Sequence, residues 1–96
     1  MYAVVTSANI GAAETDRMRI LREEIVPRVQ QAPGFVRGYW VFDEQTSKGH
    51  SMVFFETEEQ ARAQLALLKE RMPDGPAPGI AWELRTCGEV VAQAER

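Results

Sequence analysis

The apolar positions of this chain are densest between Ala32 and Phe55, where two runs of aromatic and β-branched residues flank the polar stretch from Glu44 to Gly49. Such a pattern predicts a β-hairpin. Alternation divides the apolar side chains of the first strand between two faces, with Phe35, Tyr39 and Val41 on one and Val36, Trp40 and Phe42 on the other. Both faces of the predicted sheet are therefore apolar.

Before the hairpin, the alternation from Tyr2 to Ile10 predicts a strand, and the period then changes to that of a helix from about Glu14 to Ala32. Pro27 lies inside this helix and removes one backbone hydrogen bond, so we expect a bend near Glu23. The helix presents an apolar stripe made of Met18, Leu21, Ile25, Val29 and Ala32.

After the hairpin, Thr57 and Gln60 have the spacing of a capping box, which predicts a second helix from Glu58 to Met72. The proline-rich residues 73–79 form a loop. A last strand follows, in which Ile80, Trp82, Leu84 and Thr86 alternate against Ala81, Glu83, Arg85 and Cys87. We expect Gly88 to interrupt it with a bulge or bend, past which residues 89–92 continue the strand.

The predicted order of elements is strand, helix, strand, strand, helix, strand. Residues 32–34 and 77–79 both read Ala-Pro-Gly, and each follows a predicted helix and opens a strand. Two βαβ units joined by a hairpin predict a ferredoxin-like α+β domain, with a four-stranded antiparallel sheet and two helices on one face. The 96 residues are enough for one such domain.

Two helices cover only one face of a four-stranded sheet, so the chain provides no cover for the second apolar face. An uncovered apolar face of that size is unusual in a monomer. The simplest cover is a second copy related by a two-fold axis, which gives a homodimer with its sheets packed face to face.

Composition narrows the classes of function. A formal net charge of −3 with interspersed signs argues against a nucleic-acid surface, and no apolar run is long enough to span a membrane. The only cysteine, Cys87, has no partner for an internal disulfide, and the N-terminal residues lack the pattern of a signal peptide. We therefore expect a soluble cytoplasmic protein.

Several motifs together resemble the dimeric α/β-barrel proteins, particularly small members related to antibiotic biosynthesis monooxygenases. The resemblance spans most of the chain and rests on Ile25-Val26-Pro27, Pro33-Gly34-Phe35, Gly38-Tyr39-Trp40, Asp43, Phe54-Phe55 and Thr57-Glu58-Glu59. It implies the dimeric barrel, with a site in a cavity between sheet and helices and a cofactor-free oxygenase or isomerase reaction. The second helix lacks the Trp and His of haem-degrading members, so no haem or other cofactor is expected.

Three residues are candidates for catalysis. His50, the only histidine, has the pKa range of a general base, and Tyr39 carries a phenolic hydroxyl. Asn9 ends the first strand, where haem-degrading members of the family also have Asn. The structural alternatives are a solvated His50, core packing of Tyr39, and a bond from Asn9 to the turn at Gly11. His50 has no metal-ligating neighbours at suitable spacing, so we predict no metal site.

The candidates for substrate binding combine one cation with aromatic side chains. Arg37 would hold a carboxylate of the ligand, or else form an ion pair with Asp43, Glu56 or a carboxylate of the partner subunit. It shares its predicted face with Phe35 and Tyr39. The aromatic candidates are Trp40, Phe54 and Trp82.

Two functions remain open from the sequence. In the first, the homodimer encloses a small apolar or aromatic molecule and acts on it as a monooxygenase or isomerase. In the second, it is a non-catalytic binding or structural module with a filled core. An open pocket beneath the Pro27 bend, reached by two or more polar groups, favours the first function.

Overall fold

A four-stranded antiparallel sheet organises the chain in the computed structural model, which describes residues 1–10, 15–77 and 79–96, the side chains of 15–17 excepted. The strands are β1 (Tyr2–Asn9), β2 (Phe35–Asp43), β3 (Lys48–Phe55) and β4 (Ala81–Glu89). Their spatial order is β2-β3-β1-β4, and all neighbours run antiparallel. The predicted ferredoxin-like α+β fold is confirmed.

The first helical segment consists of three consecutive pieces: α1 (Thr15–Ile20), a π-helical turn (Leu21–Ile25) and α2 (Val26–Gln30). Pro27 has no N–H to donate to the carbonyl of Glu23, so the regular α-helical ladder cannot pass through this point. The Val26 N–H instead reaches back five residues to the Leu21 carbonyl. The sequence predicts the interruption at this place. The expected first helical residue, Glu14, and the turn at Gly11 lie outside the described residues.

The capping box at α3 (Glu58–Arg71) is present as predicted. The Thr57 hydroxyl accepts from the Gln60 N–H at 3.2 Å, and the Gln60 side chain accepts from the Thr57 N–H at 3.1 Å. The two Ala-Pro-Gly motifs also behave alike. Gly34 has φ of 79° and Gly79 has φ of 80°, a left-handed conformation that favours glycine and turns the chain into the next strand.

The core lies between the sheet and the helices. It is centred on Val4, Val53, Phe55 and Ala61, which are almost fully buried. Phe35 packs edge-on against Phe55 with ring centroids 6.4 Å apart. Burial of a large apolar side chain such as Phe55 contributes about 1.5–3 kcal/mol to stability. This face therefore carries most of the apolar stabilisation of the chain.

Two β-bulges alter the predicted faces. Alternation predicts that Phe35 shares a face with Arg37 and Tyr39, and this prediction is wrong. The pairing of β2 with β3 shifts between Phe35 and Arg37, so Phe35 faces the helices instead. The pairing of β1 with β4 shifts between Ser7 and Ala8, so Leu84 and Trp82, which alternation predicts on one face, lie on opposite faces of the sheet. Each extra residue reverses the alternation on one side of the bulge.

The last strand also differs from the prediction at Gly88. β4 continues through this residue to Glu89, and Gly88 pairs with Ala3 in regular register. The irregularity of β4 lies at the other end of the strand, opposite Ser7 and Ala8. A glycine weakens a strand but does not end it when both neighbouring residues are paired.

The second face of the sheet, which we call the open face, carries no helix in the described part of the chain. Tyr39, Val41 and Met52 are 56%, 58% and 42% exposed on it. The register aligns its side chains in three rows across β2, β3, β1 and β4: Val41, His50, Ser7, Leu84; Tyr39, Met52, Val5, Thr86; and Arg37, Phe54, Ala3, Gly88. Both faces of the sheet are therefore apolar, as the sequence predicts.

Candidate ligand-binding site

A cavity of about 150 Å³ separates the first helical segment from the sheet. Leu21 and Ile25 of the π-helical turn are among its lining residues. The helical part of its lining is Met18, Leu21, Ile25 and Val29 from the first segment and Gln64, Leu68 and Met72 from the second. The sheet contributes mainly Val4, Thr6, Ala8, Trp40, Ser51, Val53 and Trp82.

Two hydroxyl groups lie on the sheet side of this mostly apolar cavity. Thr6 and Ser51 are directly opposite each other on β1 and β3, and their hydroxyl oxygens are hydrogen-bonded to one another. Thr6 is only 7% exposed. A polar pair at the centre of an apolar lining gives the cavity one defined point for hydrogen bonding.

The polar atom of Trp82 is already used. Its indole N–H donates to the Met72 carbonyl at 2.6 Å, which satisfies a carbonyl at the end of α3. The Arg85 guanidinium lies 5.5 Å from the centre of the Trp82 ring and donates to the same carbonyl at 3.3 Å. Trp82 therefore joins β4 to the end of α3 and offers the cavity only its ring surface.

A second concavity lies on the open face, between the sheet and the C-terminal residues 90–95, with a volume of about 660 Å³. Its lining includes Arg37, Tyr39, Met52 and Phe54. Tyr39 and Phe54 make an edge-on ring contact with centroids 6.4 Å apart. Arg37 forms an ion pair with Glu95 at 3.7 Å, a carboxylate that sequence reasoning did not consider.

His50 lies on the open face beside Ser7, and its Nδ1 is 2.8 Å from the Ser7 hydroxyl oxygen. The two residues are register partners on β3 and β1. Asp43, near the end of β2, accepts from the Gln45 N–H at 3.0 Å. Hydrogen bonds from Thr46 and Gln45, with a smaller contribution from His50, hold the pKa of the Asp43 carboxyl below its ordinary value of 3.8.

The structure divides the predicted site residues between the two faces of the sheet. Trp40 and Trp82 line the cavity on the helix side. The other face carries Arg37, Tyr39, His50 and Phe54. Asn9 is exposed at the end of β1. Tyr39 and Trp40 lie on opposite faces as expected, and His50 borders the cavity while its ring is directed to the opposite face with Ser7.

Sequence reasoning missed three hydroxyl residues. Thr6 and Ser51 form the polar pair of the cavity, and Ser7 bonds His50. The available signal was their position, since Thr6 alternates in phase with the apolar Val4 and Ala8 and is therefore predicted to face the core. Their partners depend on the register of β1 against β3, which alternation alone does not give.

Two further features concern metals and membranes. In residues 1–10, 15–77 and 79–96, no group of His, Cys, Asp and Glu side chains has the arrangement of a metal site. No helix within those same ranges is long and apolar enough to cross a membrane.

The fold has a known relative in structure but not in sequence. No protein-family model matches the chain, and no curated protein does. A crystal structure of a dimeric ferredoxin-like protein from an uncultured marine organism superimposes with a TM-score of 0.52 and 13% sequence identity, covering 99% of this chain and 98% of that one. At this identity, the similarity establishes the ferredoxin-like fold alone.

Proposed function

We propose that this chain is a homodimeric small-molecule-binding protein, which takes a small apolar or aromatic ligand into the cavity between the first helical segment and the sheet. The observation that carries the proposal is the cavity itself, about 150 Å³ in volume and reached by the polar side chains of Thr6, Ser51 and Gln64. A module with a filled core, the alternative function, would have no such space beneath the Pro27 interruption.

The size and lining of the cavity favour a ligand of about one aromatic ring. A volume of about 150 Å³ has room for one such ring, since an engineered apolar cavity of about this volume binds benzene. The flat ring of Trp40 and the flexible side chains of Met18 and Met72 provide polarisable contacts for such a ring. Gly38 supports this arrangement, because a Cβ there would lie 2.8 Å from the Trp40 ring and displace it.

The homodimer is supported by the open face. Its exposed apolar side chains include Tyr39 and Val41 on β2, Met52 on β3 and Leu84 on β4, and a second copy would cover them. The ferredoxin-like protein of similar structure is itself dimeric. We therefore propose that two sheets pack face to face, with one ligand cavity on the outer, helix-covered side of each.

Binding is better supported than a reaction. A monooxygenase or isomerase reaction in the cavity, as the family resemblance implies, requires a general base near the ligand. The described lining offers hydroxyl and amide groups there, while the His50 ring and the Tyr39 phenol lie on the opposite face. His50, Tyr39 and Asn9 stay catalytic predictions for chemistry outside the cavity.

Toluene binding tests the proposal. We expect saturating toluene to raise the Tm of the protein and to shift the amide signals of β1 and β3 residues that line the cavity, because a ligand that binds only the folded state stabilises it. The variant Ala8→Leu places a larger side chain in the cavity and should abolish both effects. Ala66→Leu, the same change at an exposed position of α3, is the matched control and should retain them.

Loss of toluene binding in Ala8→Leu is informative only if the variant is folded. Far-UV circular dichroism establishes that Ala8→Leu is folded before its binding is compared. A native protein that shows neither a Tm increase nor shifts at any toluene concentration contradicts the proposal. Undiminished binding by folded Ala8→Leu places the ligand elsewhere and contradicts it equally.

A further inference from the structure

We propose that the Thr6–Ser51 hydroxyl pair makes the cavity selective for a neutral aromatic ring carrying one hydroxyl group, a ligand of the phenol class, over the same ring without it. The inference rests on the proposed function, since it concerns the ligand of the same cavity. It assigns a specificity role to two residues that sequence reasoning passed over.

The position of the pair places it next to the surface on which a ring would lie. One row of side chains on the helix-facing side of the sheet runs Trp40, Ser51, Thr6 and Arg85 across the four strands. Ser51 is therefore the cross-strand neighbour of Trp40 in the cavity wall, and Thr6 follows on the next strand. A ring packed on Trp40 brings a substituent at its edge to the hydroxyl pair.

The hydrogen-bonding capacity of the pair is not exhausted. Each hydroxyl has one hydrogen to donate and two lone pairs to accept with, and the bond between Thr6 and Ser51 uses one hydrogen and one lone pair. One donor hydrogen and several lone pairs are left for a ligand. A phenolic hydroxyl both donates and accepts hydrogen bonds, so it can bond the unused donor hydrogen or an unused lone pair of the pair.

The pair also tolerates an apolar ligand. Because the two hydroxyls bond each other, neither becomes an unpartnered buried group when a ring without polar atoms enters. The expected selectivity is therefore moderate. One additional neutral hydrogen bond changes affinity by roughly fivefold.

The lining favours a neutral ligand. None of its described side chains is an Asp, Glu, Lys or Arg. The Arg85 guanidinium, which follows Thr6 on β4, lies outside the lining and donates to the Met72 carbonyl. A carboxylate or ammonium group in the cavity would therefore lack an ion-pair partner in the lining, which is unfavourable. Benzoate, of similar size to toluene but charged at neutral pH, should therefore be excluded.

A purely structural role for the pair is the competing explanation. Hydrogen-bonded Thr and Ser side chains on adjacent strands stabilise a sheet to a modest extent. Under that explanation, their removal lowers stability and affects all ligands alike. The ratio of phenol affinity to toluene affinity is the quantity that a structural role would not change.

Calorimetric or NMR titrations with toluene, phenol and benzoate test the proposal. We expect the double variant Thr6→Val/Ser51→Ala, which removes both hydroxyls from the cavity, to lower the ratio of phenol to toluene affinity by roughly fivefold. The conservative Thr6→Ser variant keeps the hydroxyl and should keep the ratio. The matched control is Ser7→Ala, which removes a hydroxyl from the neighbouring position of β1 on the open face and should leave the ratio unchanged.

The results distinguish failure of the selectivity from failure of the proposed function. If toluene binds and the ratio is the same in the native protein and in Thr6→Val/Ser51→Ala, the selectivity is overturned while the proposed function stands. Binding of benzoate as tight as that of phenol overturns the neutral ligand class. If no ring binds the native protein, both the proposed function and this inference fail.

Discussion

Asp43 illustrates how single residues set the local geometry of the hairpin. Its carboxylate accepts the Gln45 N–H at 3.0 Å and a hydrogen bond from the Thr46 side chain, which folds the chain back at the end of β2. These bonds favour the charged form and lower its pKa below 3.8. The carboxylate thereby stabilises the turn between β2 and β3.

Replacement of Thr46 tests this linkage. We expect Thr46→Ala to raise the pKa of Asp43 towards 3.8, because the hydrogen bond from the Thr46 side chain is the main cause of the depression. Carboxyl ¹³C shifts followed by NMR between pH 2 and pH 6 measure it, and Thr46→Ser, which keeps a hydroxyl, should remain close to the native value. A pKa that is the same in Thr46→Ala and the native protein would contradict the assignment.

The sign of the pH effect follows from the direction of the shift. A carboxyl whose pKa is lower in the folded state than in the unfolded state stabilises the fold above the unfolded value of 3.8. That contribution is lost as the pH falls through the folded-state pKa.

Residue-level facts were the hardest to predict. Alternation correctly separates Tyr39 from Trp40, but the bulge beside Phe35 reverses the face of that residue. The contact between Thr6 and Ser51 depends on register. One extra residue in a strand changes both the face on which a side chain lies and the residue opposite it on the next strand. No local sequence signal marks where such a residue is inserted.

At the scale of the elements, α3 begins through its capping box, and this makes the helix start testable. We expect Thr57→Ala to lower the free energy of unfolding by about 1 kcal/mol, because the Gln60 N–H loses its acceptor. Urea denaturation measures the change. Thr57→Ser retains the hydroxyl oxygen and should lose much less; equal losses in the two variants would show that the methyl group, and not the cap, provides the stabilisation.

The elements themselves were largely predictable because their signals are local. The capping residues fixed the start of α3, and Pro27 fixed the interruption of the first helical segment. Gly88 misled the prediction, since it weakens a strand in isolation while β4 stays paired with β1 through Ala3. Tertiary pairing decided that position.

For the whole molecule, the order of elements was sufficient to predict the fold, since few topologies accommodate two βαβ units joined by a hairpin. The site was less predictable. Alternation places Tyr39 and Trp40 on opposite faces, but it does not show which face the helices cover or that Trp82 lies on the Trp40 side and His50 on the Tyr39 side. Alternation did predict that both faces of the sheet are apolar, and the second apolar face is the reason for predicting a homodimer.

The open face provides a paired test of that assembly. Met52→Asp puts a charge at the centre of the open face and should weaken self-association by roughly a hundredfold, because the charge would be buried without a partner. Leu67→Asp, at a similarly exposed position of α3 (40%), is the matched control and should associate as the native protein does. Sedimentation velocity compares them; equal association of the two variants would place the interface elsewhere.

The mass of the native protein in solution tests the central claim most directly. Light scattering at micromolar concentration should give twice the chain mass of 10.8 kDa, because a second copy would cover the exposed Tyr39, Val41 and Met52 of the open face. A soluble, unaggregated species with the mass of a single chain across that concentration range would contradict the account.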